Sequence, residues 1–315
     1  MPSPSRARGA LNGTGQSECA HIGLGKGIVW VCALLVAAFA WPCMANAQEA
    51  VYETVQFKAA HLGGKRVSFN LILPRDYASH QGNFPVLYLL HGYAGNYTDW
   101  VRLTGIARYA CAYEEIIVMP DAENGWYVNN YADPSMQWES YVIDDLIPYV
   151  DSHYRTVAER GGRAIAGLSM GGYGALYLGL KYRNLFSAVA SLSGVVASAE
   201  LARRDPEVWK MIGEKMPKMK KTLLDDFGPL SNPARKREDP FRLIRALAPQ
   251  ERPALFFAIG ESDPFLQENR KFAALLSSLK IPYRYREVPG GHEWKVWDEE
   301  IQPVLALEAP IIGAR

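Results

Sequence analysis

Residues 164–174 read AIAGLSMGGYG, and this stretch decides the fold. The apolar residues before Gly167 predict a short buried strand, and residues 175–182 predict a helix after the turn. Ser169 lies between Gly167 and Gly171, which leave room for a strained backbone that neighbouring Cβ atoms would crowd. A strand, a G-x-S-x-G turn and a helix in this order indicate an exposed, nucleophilic serine. The alternative is a glycine-rich turn whose serine has no chemical role.

Further strands are predicted on both sides of this motif. Residues 51–57 and 66–73 alternate as antiparallel strands do, and later strands are separated by helical segments. The pattern predicts a doubly wound, mostly parallel sheet with helices on both faces, the α/β-hydrolase fold. Ligands bind beyond the carboxyl ends of the strands in such sheets. Besides the strand before the serine turn, later strands are predicted at 85–90, 116–120, 187–193, 254–260 and 283–288. Polar residues follow several of these strands: His91, Asp121, Ser169, Asp263 and His292.

Residues 197–247 interrupt the alternation of strands and helices. The segment is rich in lysine, arginine and methionine, contains several prolines and offers no strand pattern. We expect a helical insertion over the sheet that acts as a lid or as a wall of the acyl pocket. The alternative is a solvated surface excursion, because charge-rich helices usually face water.

Composition predicts one large domain. The chain has 315 residues, of which 49% are hydrophobic, and a formal net charge of +1. This is ordinary globular composition, and residues 48–315 are enough to form a single α/β domain with a sizeable core. A charge so close to zero predicts neither a nucleic-acid partner nor an anionic membrane surface as a partner.

The amino-terminal residues resemble a secretory leader. Basic residues precede an apolar run at 28–41, and Ala-Asn-Ala follows at 45–47. This order predicts a signal peptide over residues 1–47, with cleavage before Gln48 and a secreted or periplasmic mature protein. The apolar run is too short to span a bilayer comfortably, so a retained membrane anchor is the weaker alternative. Cleavage would remove every cysteine except Cys111, and the mature chain could then form no internal disulfide.

Ser169 needs a neighbouring base, because a serine hydroxyl is a poor nucleophile at neutral pH. In this fold an acid and then a histidine follow the serine. His292 is the single histidine after Ser169 and lies on a glycine-rich loop after the last predicted strand, which predicts that it is the base. Asp263 follows the preceding strand and is the predicted acid, which would accept the imidazole N–H. It is also placed to cap the next helix, and Glu261 and Asp239 are the alternatives.

A tetrahedral oxyanion needs two converging donors. One is predicted to be the backbone N–H of Met170, directly after the serine. The other is predicted to be the N–H of Tyr93, because Gly92 lets that loop approach the substrate. His91 is expected to fix this loop and not to act as a second base.

Six short motifs together resemble the esterase D-like "putative esterase" family. That family includes S-formylglutathione hydrolases, tributyrin, feruloyl and acetyl xylan esterases, and mycolyltransferases. The resemblance implies a triad of Ser169, Asp263 and His292 with Tyr93 and Met170 as oxyanion donors, and it implies that Glu139 lies near the site and supports its loops. The motifs are collinear over residues 51–297: LLHG at 89–92, MPD at 119–121, NGWY at 124–127, WE at 138–139, GLSMGG at 167–172 and GGHEW at 290–294.

These residues predict an exported serine esterase that cleaves small-molecule or carbohydrate-linked esters through an acyl-Ser169 intermediate. One alternative is an acyltransferase of the mycolyltransferase type, and another is an inactive exported binding module. Trp126, Tyr127 and Trp294 are candidates to line a sugar or feruloyl site, although aromatic residues also pack in cores. No metal or organic cofactor is predicted, because the histidines are scattered and no Cys/His ligand spacing occurs.

Overall fold

One eight-stranded sheet organises the protein, in the order β1-β2-β4-β3-β5-β6-β7-β8. The computed structural model describes residues 50–314, so the predicted leader and its cysteines lie outside the described residues. Strand β2 pairs antiparallel with both β1 and β4, and every other pair is parallel. The strands are β1 (Tyr52–Lys58), β2 (Arg66–Ile72), β3 (Val86–Leu90), β4 (Ile116–Pro120), β5 (Arg163–Leu168), β6 (Ala188–Leu192), β7 (Ala254–Gly260) and β8 (Arg284–Val288).

Helices cover both faces of the sheet, because the central strands are apolar on both sides. In β3, for example, Val86, Tyr88 and Leu90 join one buried cluster while Leu87 and Leu89 join the other. The predicted α/β-hydrolase fold, with its helical insertion, is confirmed. The cluster that contains Leu87 and Leu89 includes residues of α1 (Asp99–Leu103), α2 (Ile106–Tyr109) and α11 (Trp294–Ile312). The cluster that contains Val86, Tyr88 and Leu90 lies on the other face. It includes residues of the insertion and of α3 (Trp138–Ser140), a π-helical turn (Tyr141–Leu146), α4 (Ile147–His153), α5 (Met170–Lys181) and α10 (Leu266–Ser278). No helix in the described range is long and apolar enough to cross a membrane.

The insertion lies between β6 and β7 and is helical. It contains α6 (Leu201–Arg204), α7 (Pro206–Lys215), α8 (Pro217–Phe227) and α9 (Pro240–Ala246). Several hydrogen bonds join it to the loop after β4. Among them, Trp126 Nε1 donates to Thr222 Oγ1 at 3.2 Å, and the Tyr131 N–H donates to the Asp226 carbonyl at 3.0 Å. The insertion is therefore attached to the rest of the domain next to that loop, and its action as a lid stays a prediction.

The parallel strands end in register. Leu90 pairs with Gly167, Leu168 with Leu192, and Gly260 with Val288. The loops after these strands consequently start side by side along one edge of the sheet. Residues far apart in the chain meet there, as the fold rule for ligand sites requires.

Two buried glutamates, Glu115 and Glu308, have strongly perturbed carboxyl groups and no ion-pair partner within residues 50–314. Glu115 precedes β4 and Glu308 lies on α11, and each carboxyl group influences the titration of the other. No donor elsewhere in residues 50–314 reaches any of their oxygens. Burial raises the pKa of Glu115 to about 7, and burial together with the Glu115 charge raises the pKa of Glu308 well above its ordinary range. The pair therefore retains a proton that two exposed glutamates would release.

We expect the free energy of unfolding to fall as the pH rises through about 7, the raised pKa of Glu115. The folded state holds a proton that the unfolded chain releases at lower pH, so the stabilisation is complete in acid and is lost on the alkaline side. Glu308→Gln replaces one carboxyl group of the pair by an amide of similar shape that does not titrate. It should raise stability at pH 8.5 by on the order of 2 kcal/mol and flatten the pH dependence.

Urea unfolding at pH 6 and pH 8.5 measures this effect. Glu299→Gln is the control, because Glu299 is an exposed glutamate on the same helix. Parallel pH dependence in the wild type and in Glu308→Gln would show that the pair does not titrate as inferred.

Candidate active site

Ser169 occupies a sharp turn between β5 and α5. Its φ is 53° and its ψ is −114°, a conformation that non-glycine residues rarely adopt. Its backbone N–H donates to the Leu192 carbonyl at 2.9 Å, and its carbonyl accepts from the Val195 N–H at 3.2 Å. The end of β6 thus holds the strained turn from both sides, as a functional strained residue requires.

His292 and Asp263 complete a hydrogen-bonded line with Ser169. The distance from His292 Nε2 to Ser169 Oγ is 2.9 Å, and that from His292 Nδ1 to Asp263 Oδ2 is 2.8 Å. The Asp263 side chain is 0% exposed and that of His292 is 26% exposed. Because a carboxylate only accepts hydrogen bonds, Nδ1 carries the hydrogen and the Nε2 lone pair faces the serine hydroxyl. This tautomer can take the serine proton.

The other two acids considered for this role have different surroundings. Asp239 is buried, accepts from the Phe241 N–H at 3.1 Å at the start of α9, and forms an ion pair with Arg204. Glu261 is exposed. Asp263 Oδ1 also accepts from the Phe265 N–H at 2.9 Å, ahead of α10. One carboxylate therefore both caps the chain before the helix and contacts the imidazole.

Two aromatic rings that sequence reasoning missed pack against His292. The ring of Phe265 lies 5.2 Å from the imidazole centroid and that of Trp297 lies 5.0 Å from it, both edge to face. They flank the imidazole and restrict its rotation about the bond to the backbone. The position of Phe265, two residues after Asp263, is the one signal in the sequence that points to this contact.

The two predicted oxyanion donors lie on adjoining segments. Met170 is the first residue of α5, and its N–H is one of the first-turn groups that have no intrahelical acceptor. Tyr93 lies in the turn after β3, which is closed by a 3.1 Å hydrogen bond from the Gly95 N–H to the Gly92 carbonyl. Within residues 50–314, neither the Met170 nor the Tyr93 N–H donates to another backbone carbonyl. Both remain able to bind an oxygen of a substrate.

Gly171 lets α5 pack directly on the end of β3. A Cβ atom at this position would lie 2.5 Å from the carbonyl oxygens of both Leu90 and His91. Those oxygens belong to the backbone and cannot turn aside as a flexible side chain would. The absence of a side chain at 171 therefore sets the distance between Met170 and the loop that carries Tyr93.

Gly171→Ala is expected to separate these two segments and to lower kcat for an ester by on the order of 10²- to 10³-fold, the effect of losing one oxyanion donor. Circular dichroism and thermal unfolding report whether the fold persists, and ester kinetics report the loss. Gly161→Ala is the control, because a Cβ atom at 161 meets nothing within 4 Å. Unchanged kcat in Gly171→Ala would contradict this role.

His91 supports the loop, in line with its expected role. Its Nε2 accepts from the Ala122 N–H at 3.0 Å, so its Nδ1 carries the hydrogen that it donates to the Gly92 carbonyl at 2.8 Å. Both ring nitrogens are therefore occupied within the protein. Tyr127 extends this network, since its hydroxyl donates to the His91 carbonyl at 3.0 Å.

The aromatic substrate-binding candidates are placed differently from the expectation. Trp126 and Tyr127 are both 0% exposed and belong to the core, so they cannot contact a substrate in this conformation. Both residues have positive φ angles, of 51° and 57°. Trp294 is half-buried at the start of α11, and its ring lies 5.2 Å from that of Trp297. Because Trp297 packs on His292, Trp294 lies close to the site and remains a candidate for binding substrate.

Glu139 lies against the later part of α5 and not at the catalytic loops. Its carboxylate accepts from Tyr177 at 2.6 Å and from Lys181 at 2.5 Å, and Tyr182 also donates to it. Tyr177 follows Ser169 by eight residues, a separation of about 12 Å along a helix. Glu139 therefore anchors the helix that carries the serine turn, and the expected support of the loop geometry is indirect.

Within the described range, no group of three or more histidine, cysteine or acidic side chains is arranged to hold a metal ion. The groups that the structure brings together at this edge of the sheet are a serine hydroxyl, an imidazole, a buried carboxylate and backbone donors. This set matches the requirements of acyl transfer through a covalent serine intermediate.

Comparison with known proteins gives similarity over most of the chain. An esterase of Mycobacterium tuberculosis is 34% identical over 253 residues, covering 72% of this chain but 52% of the relative. The chain thus spans about half the length of that relative. An acetyl esterase of Caldicellulosiruptor saccharolyticus is 31% identical over 221 residues, covering 70% of this chain and 81% of the relative.

Solved structures share the fold. The substrate-bound fluorophosphonate-binding serine hydrolase F of Staphylococcus aureus superposes with a TM-score of 0.71 at 24% identity, covering 84% of this chain and 99% of that one. The family model described as "Putative esterase" matches residues 60–307, well over half of the chain. Because the match spans strands β2 to β8, the serine turn and the histidine loop, the chain belongs to this esterase family.

Proposed function

We propose that the protein is an exported serine esterase that hydrolyses carboxylic esters through an acyl-Ser169 intermediate. The proposal depends on two hydrogen bonds: Ser169 Oγ lies 2.9 Å from His292 Nε2, and His292 Nδ1 lies 2.8 Å from Asp263 Oδ2. Family membership supports the same chemistry. Ser169 is the nucleophile in this proposal, His292 the general base and Asp263 the acid that orients the imidazole.

The reaction follows from these positions. Ser169 Oγ bonds to the ester carbonyl carbon while its proton moves to His292 Nε2, and the carbonyl oxygen becomes an oxyanion that the N–H groups of Met170 and Tyr93 bind. The bond to the alcohol oxygen then breaks, and Nε2 returns the proton to that oxygen. Water attacks the acyl-serine with the same base, which releases the acid and restores Ser169.

Small acyl groups are the first substrates to test. The acetyl esterase of Caldicellulosiruptor saccharolyticus supports an acetyl ester as substrate, and this chain aligns with most of that relative. A panel of p-nitrophenyl acetate, longer p-nitrophenyl acyl esters, methyl ferulate and acetylated xylose measures kcat/KM for each. We expect the acetyl esters to be hydrolysed fastest. No hydrolysis of any member would contradict the proposed activity.

The two alternative functions give different products. An acyltransferase would form a new ester when trehalose or another polyol is present with the acyl donor, whereas an esterase releases the free acid. A binding module would form no new ester and release no free acid. Mass spectrometry of the products therefore separates the three functions in one experiment.

Export is part of the proposal and rests on the leader pattern at residues 1–47. Expression of the full chain in a bacterial host, followed by fractionation and sequencing of the amino terminus, tests it. We expect the secreted or periplasmic protein to begin at Gln48. Protein that stays in the cytoplasm with an intact amino terminus would contradict export.

A further inference from the structure

Asn269 is buried on α10, near the base of the loop that carries Asp263. It is 2% exposed. Its side-chain NH₂ group donates two hydrogen bonds, to the Gly194 carbonyl at 2.8 Å and to the Phe265 carbonyl at 3.0 Å. Its Oδ1 receives no hydrogen bond from residues 50–314. The structure thus uses the donor half of this amide, and only a doubly donating group can satisfy both carbonyls.

The two carbonyl acceptors belong to two different segments of the candidate site, one beside Asp263 and His292 and the other beside Ser169. Phe265 follows Asp263, gives its N–H to the Asp263 carboxylate and packs its ring on His292. Gly194 lies in the turn after β6, directly before Val195, whose N–H donates to the Ser169 carbonyl. Asn269 therefore bridges the segment that positions the acid and base to the segment that holds the nucleophile turn.

The turn at Gly194 is not held by regular secondary structure. Ser193, just before it, has a φ of 47°, and it is fully buried. Neither the Ser193 nor the Ser191 hydroxyl has a hydrogen-bond partner within residues 50–314. Backbone hydrogen bonds from the Ser193 N–H to the Ala258 carbonyl and from the Val195 N–H to the Ser169 carbonyl hold the turn on either side of Gly194. A strained turn needs such surrounding bonds to keep one conformation. The Asn269 amide supplies a further bond of this kind at the residue next to Ser193.

We propose that Asn269 is a positioning residue for ester hydrolysis, setting the distance between Ser169 and His292 by joining the Asp263–Phe265 segment to the turn at Gly194. This inference rests on the proposed function, since it concerns the same reaction. The Asn269 side chain donates its hydrogen bonds to the Gly194 and Phe265 carbonyls and not to Ser169 or His292. It acts through backbone carbonyls on each side, so its loss should slow the chemical step more than it weakens substrate binding.

Two variants remove the donors in complementary ways. Asn269→Asp keeps the size and shape of the side chain but replaces the NH₂ group by an oxygen, and Asn269→Leu removes the donors without adding charge. We expect both variants to lower kcat for p-nitrophenyl acetate by on the order of 10- to 100-fold, because a displacement of about 1 Å at reacting groups has an effect of that size. We expect KM to change by less than about twofold, because the bridge lies behind the reacting groups. Labelling of Ser169 by a fluorophosphonate probe should slow in parallel.

Leu276→Ala is the matched control for lost stability. Leu276 is fully buried on the same helix, seven residues further on, and has no part in the bridge. It should lower the unfolding temperature while leaving kcat and the labelling rate close to those of the wild type. A loss of kcat in Leu276→Ala equal to that in the Asn269 variants would reduce Asn269 to a purely structural residue and overturn the proposal.

The outcomes separate this inference from the proposed function. If the wild type hydrolyses esters and both Asn269 variants keep its kcat, the positioning role is wrong and the esterase proposal stands. If the wild type neither hydrolyses the ester nor reacts with the probe, both proposals fall. A fall in kcat in both Asn269 variants, with KM retained and with Leu276→Ala active, supports the bridge.

Discussion

Ser169→Ala is expected to lower kcat for p-nitrophenyl acetate by on the order of 10⁶-fold, the largest effect of any substitution proposed for this chain. The change removes the single atom that would bond to the acyl carbon. His292 Nε2, 2.9 Å away, would then have no hydroxyl from which to take a proton. Ester kinetics and mass spectrometry of the fluorophosphonate adduct measure the loss. The fold should persist, because the methyl group of alanine fits where the serine side chain lies.

Ser193→Ala is the control for this prediction. Ser193 is also a buried serine with a positive φ at the end of a strand, but its hydroxyl has no hydrogen-bond partner within residues 50–314. We expect wild-type kcat and no change in adduct formation. If Ser169→Ala retained more than about a hundredth of wild-type kcat, Ser169 would not be the nucleophile, since the expected residual rate is far lower.

Asp263→Asn is expected to lower kcat by on the order of 10⁴-fold with little change in the fold. The amide oxygen can still accept from the Phe265 N–H, so the cap is preserved. The amide NH₂ group would then donate to His292 Nδ1 and leave the hydrogen on Nε2. That tautomer cannot accept the serine proton. The loss should therefore appear in kcat, while thermal unfolding changes little.

The two other acids considered from the sequence are the matched controls. Glu261→Gln changes an exposed side chain and should leave kcat as it is in the wild type. Asp239→Asn weakens the ion pair with Arg204 and should lower stability while keeping kcat. If Glu261→Gln or Asp239→Asn lost activity and Asp263→Asn kept it, the acid would have been assigned to the wrong residue.

Much of the fold could be predicted from local patterns. The apolar strands Ile116–Pro120 and Ala254–Gly260 have the bounds expected from the sequence, because continuous apolar runs between turns have few other stable conformations. The helix after Asp263 begins at Leu266 and not directly after the aspartate that was expected to cap it. Helix ends depend on which carboxylate or carbonyl accepts the first N–H groups, and Asp263 gives one of its oxygens to Phe265.

The side chains around the site could be predicted only in part. Trp126 and Tyr127 follow a strand and were expected near substrate, yet both are in the core. Glu139 was expected near the loops and instead binds Tyr177 and Lys181. Nothing local in the sequence distinguishes an aromatic residue that faces a ligand from one that fills the core.

The sequence by itself determined the order of strands and helices, the serine turn and the candidate base, since each depends on neighbouring residues or on His292 being the single histidine after Ser169. Only the tertiary structure decided which groups meet. Ser169 and His292 are 123 residues apart, and Asn269 and Gly194 are 75 apart. Such contacts arise when parallel strands end in register at one edge of the sheet and their loops pack together. That packing depends on the whole core and not on any one segment.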